Sequence, residues 1–105
     1  MTVRGFYGIL PGMTSLHLII TGRVQGVGFR DWLTEEANRR QLSGWVRNFG
    51  NDKVEAVIAG PAAAVEECVR LCWQGPAFAR VTNIVSAPAA LPEEPIFRRR
   101  GSVAR

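Results

Sequence analysis

The 105-residue sequence offers little for acid–base or metal chemistry: one histidine, His17, and two cysteines, Cys68 and Cys72. Two cysteines make no export-type disulfide framework. Cys68 and Cys72 fall with Val65 and Val69 on one helical stripe, the pattern of buried core thiols. A metal site would need more ligands than lie near them. Long apolar runs are also missing, and none approaches the ~20 residues that cross a bilayer. Near the start, Phe6, Tyr7, Ile9 and Leu10 are interrupted by Gly5, Gly8, Pro11 and Gly12, a poor signal-peptide core. The expectation is a cytoplasmic protein with no membrane partner, residues 1–14 forming a flexible N-terminal extension and residues 99–105 a C-terminal tail. Lysine is nearly absent: Lys53 stands against twelve arginines. The planar guanidinium fork suits bidentate phosphate recognition, although a general arginine bias accounts for most of the twelve.

What is present is enough for one packed domain: 47% of the residues are hydrophobic, 21% are charged, and the formal net charge is +4. Leu16, Leu18 and Ile20 alternate with His17, Ile19 and Thr21, as a half-covered strand does. Phe29, Leu33 and Ala37 mark one face of a helix over 29–41, with Glu35–Arg39 and Glu36–Arg40 as i, i+4 pairs. Strands over 44–48 and 54–59 flank a turn at Asn51-Asp52 and form a hairpin. Gly60-Pro61 introduces a second helix over 62–73, since proline suits a first helical turn. A less regular strand follows over 80–86, then a proline-rich loop, with a short edge strand over 96–98. The order βαββαβ predicts an α+β, ferredoxin-like sandwich, an antiparallel sheet with both helices on one face.

The segment that carries chemistry is Gly22-Arg23-Val24-Gln25-Gly26-Val27-Gly28-Phe29-Arg30, between the first strand and the first helix. Glycines let successive main-chain N–H groups turn inward around an anion, and the helix start adds free N–H groups and the positive end of its dipole. Arg30 then stands where it can pair with two phosphate oxygens. No Gly-Lys-Ser/Thr follows, which excludes a P-loop, and Asp31 occupies the place of the third glycine of a dinucleotide fingerprint. His17 is a poor base, because six residues of strand place it ~20 Å from Arg23.

At these residues the sequence resembles the acylphosphatase family. The loop just quoted looks like the family's first signature. Gly44-Trp45-Val46-Arg47-Asn48, followed by a turn and Val54-Glu55, looks like the second, and Gly60-Pro61 also matches. The likeness covers roughly residues 15–98, the acylphosphatase-like domain. It implies hydrolysis of a small-molecule acyl phosphate, with no cofactor, no metal, no nucleic-acid partner and a monomeric chain. Arg30 and Asn48 are implied as the catalytic residues, the second positioning the attacking water. Gln25, Gly26, Val27, Gly28, Phe29 and Arg30 are implied to bind phosphate, mainly through main-chain N–H groups. The sequence departs from the pattern at Phe49, where vertebrate members often carry a small hydroxyl residue, and at Asn51-Asp52, where bacterial members often have Asp-Gly.

Overall fold

The computed structural model describes residues 12–104. Most of the segment read as an N-terminal extension, residues 1–11, lies outside the described residues, as does residue 105 of the tail. Seven elements follow in order: β1 Met13–Arg23, α1 Phe29–Arg39, β2 Ser43–Phe49, β3 Lys53–Pro61, α2 Ala62–Cys72, β4 Arg80–Pro88 and β5 Phe97–Arg99. They build a mixed five-stranded sheet in the order β4-β1-β3-β2-β5 with two helices, the α+β class expected from the sequence. The first four strands pair antiparallel as expected. β5 departs from that plan and runs parallel to β2, pairing Gly44 with Phe97.

The core follows from two periodicities. Leu18 and Ile20 of β1, Val46 of β2, and Val54, Ala56 and Ile58 of β3 are buried toward the helices. Phe29, Leu33 and Ala37 of α1 meet them, as do Val65, Cys68 and Cys72 of α2. Both cysteines are free and buried within that cluster.

Three details differ from the sequence reading for local reasons: a helix end, an ion pair and a strand register. α1 ends at Arg39 because Gln41 takes a left-handed φ of 58°. The N–H of Leu42 then reaches the Ala37 carbonyl at 2.9 Å, and that of Gln41 reaches Asn38 at 3.0 Å, which closes the helix end. Glu36 takes both Arg39 and Arg40, at 3.2 and 2.6 Å, so Arg39 does not pair with Glu35 as its spacing suggested. β1 and β4 slip by one residue between Thr21 and Gly22, a bulge that explains the broken alternation of β4.

The end of the chain is held along β2. Arg100 donates its N–H to the Val46 carbonyl at 2.7 Å, and Val103 donates to Asn48 at 3.0 Å. In return the N–H of Gly50 reaches the Val103 carbonyl at 2.9 Å. Residues 100–103, part of the expected C-terminal tail, therefore lie beside the second strand.

Candidate active site

The loop from Val24 to Gly28 joins β1 to α1 at one end of the sheet. Gly28 caps α1 with a left-handed φ of 79°, a conformation open to glycine, and supplies no side chain to the helix start. The first helical bond is Trp32 N–H to the Gly28 carbonyl, 2.9 Å. The main-chain N–H groups of residues 25–30 have no acceptor among the described residues. Each such donor favours an anion, and the helix dipole adds to them.

A cavity of about 210 Å³ opens over these donors, lined by Val24, Gly26, Gly28, Phe29, Arg30, Asp31, Asn48 and Arg99. It is smaller than the ~300–1,000 Å³ of sites for drug-sized ligands, so it suits a small anion. Asn48 arrives from the end of β2, where it pairs with Val54 of β3. Arg30 arrives from the first turn of α1 and donates Nη1 to the main-chain carbonyl of Arg100 at 3.2 Å. Arg99 donates Nη1 to the Asp31 carboxylate at 2.6 Å.

Of the residues singled out in the sequence, Gly26, Gly28, Phe29, Arg30 and Asn48 share this cavity. Gln25 and Val27 do not line it. The Gln25 carboxamide instead donates to the carbonyls of Gly50 at 3.0 Å and Lys53 at 2.9 Å, tying the loop to the β2–β3 turn. Val27 packs against the core. Asp31 and Arg99 were missed. Asp31 had no sequence signal beyond its place in a first helical turn, and Arg99 sat in an arginine run with no visible partner.

The sheet's opposite face carries a second polar group that does not reach the cavity. His17 Nε2 and Arg47 Nε each lie 2.7 Å from the Glu55 carboxylate. Burial pushes the Glu55 carboxyl up, but hydrogen bonds from His17 and Arg47 and the Arg47 charge together hold it below its ordinary value. The neutral ring of Trp45 takes two cations: the Arg47 and Arg100 guanidinium carbons lie 4.9 and 4.7 Å from its centre. A larger cavity of about 390 Å³ lies beside Trp45, Arg98 and Arg100, but Glu93 and Glu94 line it too and offset its positive charge. It contains no residue of the Gly-rich loop.

Comparison with known proteins decides the family. A family model described as Acylphosphatase matches residues 16–98.

The chain belongs to the acylphosphatase family.

An acylphosphatase of Acidiphilium cryptum is 52% identical over 90 residues, covering 86% of this chain and 99% of that relative. The solved acylphosphatase of Coxiella burnetii superposes with a TM-score of 0.81 at 31% identity, over 95% of this chain and all of that one. Full-length HypF, solved in a phosphate- and nucleotide-bound form, superposes with a TM-score of 0.80 at 26% identity. That match takes in 89% of this chain but 12% of HypF. Acylphosphatases are hydrolases of acyl phosphates. Among the described residues no helix is long and apolar enough to cross a membrane.

Proposed function

We propose that the protein hydrolyses the carboxyl–phosphate bond of small acyl phosphates, with Arg30 and the loop N–H groups binding phosphate and Asn48 positioning the water. The observation that supports this most is the meeting of unpaired loop donors, one guanidinium and one carboxamide at a single small cavity.

The substrate is already activated. Its leaving carboxylate has a conjugate acid of pKa about 4, so it departs without a general acid. What remains is to offset the charge on the phosphate and to align water opposite the leaving oxygen, which is positioning and electrostatics. One Arg30 nitrogen is engaged by a neutral carbonyl, and its other N–H groups stay available for phosphate oxygens. The Asn48 side-chain oxygen accepts a hydrogen bond from the water. The water oxygen forms the new bond to phosphorus while the bond from phosphorus to the acyl oxygen breaks. That electron pair leaves with the carboxylate, and the water's proton passes to a phosphate oxygen.

The test is turnover of benzoyl phosphate followed by its ultraviolet absorbance, with no metal added. Hydrolysis should exceed buffer and be unchanged by EDTA; a rate equal to buffer would defeat the proposal. Arg30→Gln should lower kcat/KM by about 10²–10³-fold and weaken inorganic phosphate in parallel. Asn48→Ala should lower kcat about 10²-fold while phosphate binding stays within about twofold. Normal turnover in Asn48→Ala would remove Asn48 from the mechanism.

A further inference from the structure

We infer that Arg99 and Arg100 form a positioning clasp for the phosphate arginine, so that the C-terminal segment is part of the active site. The inference rests on the role proposed for Arg30. Two consecutive residues of α1 are gripped by two consecutive residues of the segment: Arg30 by the Arg100 carbonyl at 3.2 Å, and Asp31 by the Arg99 guanidinium at 2.6 Å.

The chemistry of each contact suits that purpose. A free arginine side chain samples many rotamers, and an unheld Arg30 would surrender that freedom when phosphate arrives. The Arg100 carbonyl holds it beforehand. A carbonyl is neutral, so it orients the guanidinium without competing for its charge as a carboxylate would. The carboxylate next to it in the chain, Asp31, would if unengaged draw the Arg30 guanidinium away from phosphate, and Arg99 engages it. The segment itself is fixed on the far side. Arg100 is bonded to Val46 at 2.7 Å and lays its guanidinium on Trp45, and Val103 is bonded to the main-chain carbonyl of Asn48. One short segment thus touches the main chain of Asn48 and the side chain of Arg30.

The side chains of Arg99 and Asp31 are 45% and 69% exposed, so their bridge adds little to stability. A positioning role must therefore appear in binding and turnover. The decisive experiment is a double-mutant cycle between Arg99→Gln and Arg30→Gln in the full chain. Its readouts are kcat/KM on benzoyl phosphate, Kd for inorganic phosphate, and Tm. Arg99→Gln should lower kcat/KM and phosphate affinity about tenfold while shifting Tm by no more than about 4 °C. In the Arg30→Gln background the same change should cost less than about twofold, because the group it aims is gone. Arg99→Lys, which keeps the charge facing Asp31, should recover to within about threefold of wild type. Equal losses in both backgrounds would mean that Arg99 acts on the anion, directly or by screening Asp31, rather than through Arg30, and would overturn the inference. No loss in the wild-type background would do the same. A wild-type protein that binds phosphate but does not hydrolyse benzoyl phosphate would count against the proposed activity alone, since the cycle can still be read in Kd.

Discussion

The carboxamide of Gln25 reaches across to the β2–β3 turn and donates to Gly50 and Lys53, with the Phe49 carbonyl at a marginal 3.5 Å. A side chain on the Gly-rich loop thereby fixes the loop's distance from the strand that carries Asn48. Gln25→Ala removes these bonds and should cost about 1–2 kcal/mol in urea unfolding, with KM raised more than kcat is lowered. Gln25→Glu should be worse than Ala, because its carboxylate would face carbonyl oxygens with no donor between them. Equal stability of Ala, Glu and wild type would show that the tether carries no load. At this scale the sequence was informative where the chemistry is local. Gly26, Gly28, Phe29 and Arg30 follow one another in the chain, so a loop entering a helix could be read from spacing alone. The partners of Asp31 and Arg30 could not, since Arg99 and Arg100 lie 68 and 70 positions further on. Separation in sequence likewise hid the bond between His17 and Glu55, 38 positions apart.

Among the elements, β2 does most to place the site: it presents Asn48 to the cavity, pairs with β3 on one side and with β5 on the other. Gly44, near its start, has φ 133°, and a Cβ there would stand 1.8 Å from the Val57 carbonyl oxygen. That oxygen belongs to the backbone of β3 and cannot swing aside. Gly44→Ala should therefore destabilise the fold by at least about 3 kcal/mol in urea denaturation, from strain and forced separation of the strands. A cost under about 1 kcal/mol would mean that β2 and β3 can part locally without harm. Most of the elements were readable because they have their own apolar period: alternate residues in β1 and β3, and Phe29, Leu33 and Ala37 in α1. The edges were less so. The stop of α1 depends on a left-handed Gln41, a conformation that sequence patterns assign to glycine or asparagine. The parallel pairing of β5 depends on the path of residues 89–96, a connection with no periodicity.

For the molecule as a whole, the end of the sheet with the small cavity gathers main-chain donors that have no acceptor among the described residues, and the opposite sheet face gathers charge that is neutralised. Glu55 joins three strands of the sheet: it lies on β3, takes His17 from β1, and takes Arg47 from β2. Its side chain is 13% exposed. Burial alone would favour the protonated form, and the two partners outweigh it, so its folded pKa lies below the ordinary 4.5. The sign follows from linkage: the unfolded chain binds a proton here more readily than the folded one, so acid favours unfolding. The contribution of Glu55 is complete above pH 4.5 and is lost as pH falls from there through its lowered folded value. Urea midpoints measured from about pH 6 to pH 3 should fall in the wild type. Glu55→Gln should lose about 1–3 kcal/mol at neutral pH, where the wild-type carboxylate is charged, and show a shallower decline on acidification. Parallel curves for the two proteins would mean that another carboxylate governs acid sensitivity. Because Arg47 and Arg100 both lie against the Trp45 ring, the same titration should be followed in turnover. An acid loss of kcat/KM that precedes unfolding in the wild type, and is absent in Glu55→Gln, would carry the influence of this face through Trp45 and Arg100 to Arg30.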